Sequence, residues 1–164
     1  MRVETERMYL YLLSDEEMRL VIENESDPEM KLAYTEMLEG SLSNPDKRIW
    51  YAIWNMELKD DLETIAGDFC FKGLGDDGVV EIGYGLKEEC RHYGYMTEAV
   101  KAITEWALSQ ESVKQVEAET DAENTASQKV LFRSRFVSNG KTGEEGPRFV
   151  YGGKKGMKKY TKGH

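Results

Sequence analysis

The sequence contains few cysteines and few histidines. Its 164 residues include two cysteines, Cys70 and Cys90, and two histidines, His92 and His164. Two cysteines cannot form a disulfide framework, and with two histidines and no Cys-x-x-Cys or His-Glu-x-x-His sequence we expect no metal site. No apolar run is long enough to span a membrane, and the first residues do not resemble a signal peptide, so we expect a cytoplasmic protein.

Positive charge is also scarce. The chain has 22 Lys and Arg against 31 Asp and Glu, for a formal net charge of -9. Five of the lysines lie in residues 154–164, so residues 1–153 alone carry a charge of -14. A general nucleic-acid binder needs Lys and Arg to neutralise phosphates, so we expect no direct nucleic-acid partner. The length predicts one folded domain, residues 1–153, followed by a basic tail, residues 154–164, with no catalytic role.

The hydrophobic pattern predicts the order strand, two helices, three antiparallel strands, helix, strand, helix and hairpin. This order indicates a mixed α/β fold resembling the α+β class, with a mostly antiparallel sheet and helices on both faces. We expect Ala126, Val130 and Leu131 to point inward from the last helix. The expected strands are residues 8–13, 49–58, 63–74, 79–86 and 113–120, the helices about 14–24, 29–39, 97–109 and 124–134, the loop 40–45, and the hairpin segments 136–138 and 148–151.

Two glycine-containing segments are candidates for holding a phosphate. Residues 73–78 match G-x-G-x-x-G, but a strand is predicted to follow and two aspartates would repel a diphosphate, so we interpret them as a hairpin turn. Residues 91–97 follow a strand and open a helix, where unpaired N–H groups and the helix dipole favour an anion. Gly94 lets the backbone approach that anion closely.

Three stretches together resemble the GCN5-related N-acetyltransferase (GNAT) family, and within it the branch containing ribosomal-protein N-terminal acetyltransferases. The resemblance covers nearly the whole chain and implies a sheet splayed between its fourth and fifth strands, counted from the strand at residues 8–13. Acetyl-CoA would lie in that cleft as co-substrate. The stretches are Glu81-Ile82-Gly83-Tyr84-Gly85-Leu86, Arg91-x-x-Gly94-Tyr95-x-Thr97-Glu98-Ala99, and Asn124-x-x-Ser127-x-x-Val130-Leu131 to Phe136.

The resemblance also implies roles for single residues. The loop opened by Arg91 would hold the diphosphate, with the Thr97 hydroxyl as a further donor, while the strand end at Tyr84, Gly85 and Leu86 would lie along the pantetheine arm. Asn124 would contact that arm, and without the resemblance it is simply a helix N-cap. The amides facing the diphosphate would be those of His92, Tyr93, Gly94, Tyr95, Met96 and Thr97.

Two positions depart from the family pattern. Met96 stands where Gly or Ala is usual, although its backbone amide is still available. Arg135 replaces a glycine in a helix C-terminal turn, where a left-handed backbone is costly for any other residue. We expect the His92 side chain to face solvent or the adenine side rather than the acyl group.

An acetyl group is transferred to a neutral amine, so the ammonium form of the substrate must first lose a proton. Glu119, five residues before Asn124 as in relatives with a glutamate base, is the first candidate for the base, and Glu81 is the second. Either one could instead be a solvated strand carboxylate, or a water could act. Ser127 is the candidate acid for the departing thiolate, because Leu131 stands where many relatives have tyrosine. A backbone N–H near Leu86 can stabilise the oxyanion.

We therefore expect an acetyl-CoA-dependent N-acetyltransferase that transfers the acetyl group directly to a primary amine. The amine would belong to a protein N-terminus or a cationic small molecule, because the acidic charge of the domain favours a cation. The alternative is a non-catalytic acyl-CoA-binding or regulatory module with the same fold. No membrane partner is expected, and the protein would be a monomer or a homodimer.

Overall fold

A computed structural model describes residues 1–153, so the predicted basic tail lies outside the described residues. Eight strands and four α-helices follow one another in this part of the chain, and two of the connections contain a short 3-10 helix. None of its helices is long and apolar enough to cross a membrane. The elements are β1 (Arg2–Glu4), β2 (Met8–Leu12), α1 (Asp15–Asn24), α2 (Pro28–Ser43), β3 (Trp54–Leu58), β4 (Asp61–Leu74), β5 (Val79–Leu86), α3 (Tyr95–Leu108), β6 (Gln115–Glu119), α4 (Thr125–Arg133), β7 (Phe136–Thr142) and β8 (Pro147–Tyr151).

The strands form one sheet in the order β1-β2-β3-β4-β5-β6-β8-β7. All neighbouring pairs are antiparallel except β5 and β6, which are parallel. Parallel neighbours need a long crossover connection, and α3 supplies it here. The mixed, mostly antiparallel fold predicted from the sequence is confirmed.

Helices cover both faces of the sheet. On one face α3 and α4 contribute Met96, Ile103 and Leu131 to the larger core cluster, which also contains strand residues such as Trp54 and Phe71. On the other face α1 and α2 contribute Met18 and Tyr34 to a smaller cluster. This second face, covered by α1 and α2, is called the α1/α2 face below.

Local sequence signals set several element boundaries. Ser14 forms a capping box with Glu17, each side chain accepting a hydrogen bond from the other residue's backbone N–H, which satisfies free amides at the start of α1. Asp27 caps α2, and Pro28 stands at its first position, where a missing N–H costs nothing. The predicted starts of these two helices are confirmed to within one residue.

The predicted loop at residues 40–45 is wrong, because α2 continues to Ser43. Gly40 does not end the helix but allows close packing, since a Cβ there would lie 2.9 Å from Cδ1 of Tyr51. The predicted strand at 49–58 begins only at Trp54, and Pro45–Trp50 is a 3-10 helix. Its Trp50 is buried with its ring centroid 5.0 Å from that of Phe71, so the apolar run reflects core packing rather than strand pairing.

Three smaller features of the structure differ from the prediction. β1 was not predicted, and its three residues pair with β2. β7 extends to Thr142 through a segment expected to be a turn. Ala126 is exposed rather than inward, and Leu131 is the residue that α4 buries.

Two expectations about backbone conformation are confirmed. Residues 73–78 connect β4 to β5 as a hairpin turn, with the Gly75 amide donating to the Val79 carbonyl at 3.1 Å. Arg135 has a φ of 68°, the left-handed conformation expected where the family has glycine. Such a conformation costs a non-glycine residue about 1–2 kcal/mol.

Candidate functional site

The sheet opens between β5 and β6. Parallel pairing covers only the starts of the two strands and ends where Glu81 lies opposite Glu117, although β5 continues to Leu86. The Lys87 amide donates to the Ala66 carbonyl on β4 at 2.8 Å. Because successive amides in a strand point to opposite sides, the Leu86 amide points into the gap. These are the fourth and fifth strands of the sequence analysis, so the splay has the position that the resemblance implied.

A loop rich in unpaired amides lies where β5 leads into α3. Across residues 1–153, none of the amides of residues 92–97 donates a hydrogen bond to a protein acceptor. Gly94 is the N-cap of α3 with a φ of 79°, and no side chain caps the helix. His92 also has a left-handed φ, 73°, at a cost of about 1–2 kcal/mol for a non-glycine residue. Free amides at the N-terminus of a 14-residue helix attract an anion.

The loop side chains leave this cluster of amides accessible. The Met96 side chain is buried in the core, so it takes up no room beside its own amide. Arg91, His92 and Gly94 are exposed, and Tyr93 stacks on Tyr95 with ring centroids 5.6 Å apart. The loop therefore fits the diphosphate of a coenzyme, since the backbone supplies the donors.

Arg7, in the connection between β1 and β2, links the loop to the first turn of α3. Its Nε donates to Glu98 Oε1 at 2.7 Å, and its Nη1 donates to the Tyr93 carbonyl at 2.8 Å. Burial opposes ionisation of Glu98, but hydrogen bonds from Thr5 and Arg7 outweigh it and lower the Glu98 pKa. Sequence reasoning did not give Arg7 this role, because no local pattern indicates a contact between residues 91 positions apart.

Tyr84 bridges the gap to the start of α4. Its hydroxyl lies 2.9 Å from Ser127 Oγ and 3.1 Å from the Ser127 carbonyl oxygen. Burial raises the pKa of Tyr84 to about 12, so the hydroxyl keeps its proton at neutral pH. The structure thus brings together Ser127, the candidate acid, and the strand end predicted to lie along the pantetheine arm.

Asn124 is the N-cap of α4, as predicted from the residues alone. Its Oδ1 accepts a hydrogen bond from the Ser127 amide at 3.0 Å. The cap fixes the first turn of α4, and with it the backbone that carries Ser127. A contact between Asn124 and the coenzyme stays a prediction.

The two base candidates share one guanidinium. Arg148 on β8 donates to Glu119 at 2.6 Å, to Glu81 at 3.0 Å and to Glu117 at 3.1 Å. Lys72 forms a further ion pair with Glu81 at 2.9 Å. The shared partner places Glu117 and Glu119 on the same face of the sheet, as the alternation of side chains along β6 requires.

Both carboxylate oxygens of Glu119 accept hydrogen bonds. Its second oxygen accepts the Glu145 amide at 2.8 Å, and a Cβ at Gly143 would collide with its carboxylate. The Glu145 amide and Arg148 lower the pKa of Glu119. A carboxylate with a lowered pKa is a weaker proton acceptor, and the role of Glu119 as base stays a prediction.

Besides the loop and the gap, the candidate sites are possible metal ligands and the two cysteines. Within residues 1–153, no group of three or more His, Cys, Asp or Glu side chains is placed to hold a metal ion. Cys70 and Cys90 are both buried and free. Burial raises the pKa of Cys70 to about 12, so its thiol stays protonated.

Comparison with known proteins gives the family. A family model described as an acetyltransferase (GNAT) domain matches residues 2–137. This chain belongs to the GNAT acetyltransferase family. The resemblance drawn from the motifs is confirmed.

One curated relative aligns with part of this GNAT chain. The uncharacterized N-acetyltransferase YjdG of Bacillus subtilis (strain 168) is 33% identical over 91 residues, which are 56% of this chain and 54% of that protein. The aligned region thus spans about half the length of the curated relative.

Solved structures of acetyltransferases share the fold over almost the whole chain. RimL, a ribosomal L7/L12 alpha-N-protein acetyltransferase in complex with coenzyme A, has a TM-score of 0.71 at 14% identity and covers 92% of this chain and 96% of its own. A ribosomal-protein-S5-alanine acetyltransferase from Vibrio fischeri has a TM-score of 0.69 at 16% identity, with 92% and 94% covered. At such identities the similarity supports the fold alone.

Proposed function

We propose that this protein is an acetyl-CoA-dependent N-acetyltransferase that transfers the acetyl group directly to a primary amine. The observation that carries the proposal is the row of unpaired amides at residues 92–97, beside a sheet that opens between β5 and β6. Acetyl-CoA supplies an activated thioester. Its diphosphate would accept hydrogen bonds from the loop amides, and its pantetheine arm would lie along β5 in the gap.

The residues around the gap supply the remaining chemistry. The Leu86 amide points into the gap, where it would stabilise the oxyanion that develops during transfer. Ser127 would give a proton to the departing thiolate, and the Tyr84 hydroxyl at 2.9 Å would orient it. Family membership and the gap geometry support these roles, and direct transfer needs no covalent intermediate on the protein.

The acceptor is proposed to be a cationic amine, either a protein N-terminus or a small molecule. The charge of -14 over residues 1–153 favours a cation over an acidic substrate. Solved structures of ribosomal-protein acetyltransferases with the same fold support a protein N-terminus. The proposed place of the acceptor is the α1/α2 face of the sheet.

The test is thiol release from acetyl-CoA with a panel of amines, together with calorimetric titration of coenzyme A. The panel contains a basic peptide with a free N-terminus, an acidic peptide, spermidine, and the basic peptide with its N-terminus and lysines blocked. We expect saturable coenzyme binding and faster thiol release with the cationic amines than with the acidic or blocked peptide. Binding without turnover would favour the non-catalytic module, and absence of binding would refute the proposal.

A further inference from the structure

Asp68 is a carboxylate beside the strand end that the proposed function places along the coenzyme arm. It lies on β4 directly opposite Gly85, and the next residue of β5 is Leu86. The Tyr34 hydroxyl of α2 donates to Asp68 Oδ2 at 2.6 Å, so the carboxylate faces the α1/α2 face. Sequence reasoning did not single out Asp68, because only strand register places it opposite Gly85.

One oxygen of this carboxylate is available. Tyr34 is 7% exposed and fixes Oδ2, whereas Oδ1 accepts no hydrogen bond within residues 1–153. A Cβ built on Gly85 would have one neighbour within 4 Å, which is Asp68 Oδ1 at 3.8 Å. Gly85 itself is exposed. The space beside Gly85 is thus open and bounded by a free carboxylate oxygen.

The three glutamates that β5 and β6 present on this face already have a cationic partner. Glu81, Glu117 and Glu119 all accept hydrogen bonds from Arg148, and Lys72 adds a second cation at Glu81. A substrate ammonium would have to displace these partners before it could bind there. Asp68 has a hydroxyl partner instead, which leaves its negative charge to attract a cation.

Burial also suits Asp68 to accept a proton. Burial is the largest influence and raises its pKa, and the charge of Glu25 adds to the rise. The Tyr34 hydrogen bond and the charge of Lys87 act in the opposite direction without cancelling it. Two other titratable side chains of β4 share this face: Cys70 stays a neutral thiol because burial raises its pKa to about 12, and Lys72 is paired with Glu81. A general base is more effective when its pKa approaches the working pH.

We propose that Asp68, oriented by Tyr34, binds the ammonium of the acceptor beside Gly85 and takes the proton that frees the amine for attack. The inference rests on the proposed function and adds the acceptor site to it. The substrate ammonium carries three protons. One goes to Asp68 and then to water, one goes to the thiolate through Ser127 as the C–N bond forms and the C–S bond breaks, and one remains on the amide.

The test compares Asp68→Asn with the wild type in thiol release and in calorimetric titration of coenzyme A. Asparagine keeps an oxygen that accepts the Tyr34 hydroxyl but cannot take the proton. We expect kcat/KM to fall about 100-fold or more with the coenzyme Kd unchanged. Because ionisation of a carboxyl with a raised pKa costs stability at neutral pH, the Tm at pH 7 should not fall.

Three further variants make the result specific. Asp60→Asn, in the exposed turn between β3 and β4, should leave activity unchanged. Glu119→Gln should lose less activity than Asp68→Asn. Tyr34→Phe removes a hydrogen bond that lowers the Asp68 pKa. The acid limb of the pH profile of kcat/KM should therefore move to higher pH. A merely structural role of Tyr34 would leave that limb in place.

The outcomes separate this inference from the proposed function. A wild-type protein that neither binds coenzyme A nor releases thiol with any amine refutes the proposed function, and this inference with it. A wild-type protein that turns over while Asp68→Asn stays within about threefold of it refutes only the role of Asp68. A larger loss in Glu119→Gln than in Asp68→Asn would return the base to Glu119.

Discussion

The Gly94 position offers a strong test of the proposed diphosphate site, because the electrostatic effect of a substitution on coenzyme binding can be calculated there and separated from its effect on stability. Gly94 has a φ of 79°, so any other residue costs about 1–2 kcal/mol in stability. A glutamate at this position would place a negative charge about 4 Å from a bound diphosphate. Repulsion in water would cost about 1 kcal/mol of binding free energy for each of the two diphosphate charges. Loss of about 2 kcal/mol weakens binding about 30-fold, before any lost amide contact is counted.

Gly140 provides the matched control for Gly94→Glu. It has a φ of 78°, and a Cβ there would meet nothing within 4 Å. Gly140→Glu should therefore lower the Tm by a similar amount, about 2–8 °C, without changing coenzyme A binding. Calorimetric titration and thermal unfolding of both variants make the comparison. Equal coenzyme affinity in Gly94→Glu and the wild type would refute the loop as the diphosphate site.

Three other predictions concern the residues around the loop and the gap. Arg7→Ala should weaken coenzyme A binding about 3- to 10-fold, because it removes the hydrogen bond to the loop. The control Arg2→Ala, which loses a contact with the Tyr9 ring, should leave binding unchanged when both are measured by titration calorimetry. Ser127→Ala should lower kcat about 10- to 100-fold with little change in coenzyme Kd, and an unchanged kcat would exclude it as the acid. Glu119 has a lowered pKa, so its carboxylate stabilises the fold above the unfolded value near 4.5, and this contribution is lost as pH falls. Glu119→Gln should therefore unfold at a lower Tm at pH 7, with the difference from wild type shrinking towards pH 3.

The features that could be predicted from the sequence are those that depend on neighbouring residues. The Ser14 cap, the hairpin at 73–78 and the loop before α3 all depend on turn and cap chemistry within a few positions. The left-handed backbone at Arg135 agrees with the resemblance, because the family has glycine in this helix C-terminal turn.

Contacts set by strand register and helix docking could not be predicted. Tyr34 and Asp68 are 34 positions apart and meet only because α2 packs on β4. Arg148 binds three glutamates on two other strands, which turns two base candidates into members of an ion-pair network. The sequence predicts a loop from residue 40 onwards, but Gly40 lies inside α2, where the Tyr51 ring packs against it. Long-range packing decided each of these cases, and no local pattern specifies it.

The most direct test of the central claim is an amide NMR titration of the protein with coenzyme A. We predict saturable shifts concentrated in the amides of residues 92–97 and in the Leu86 amide at the gap, because these are the donors that the ligand would engage. Saturable shifts confined to another part of residues 1–153, or no saturable shifts at millimolar coenzyme A, would contradict the account.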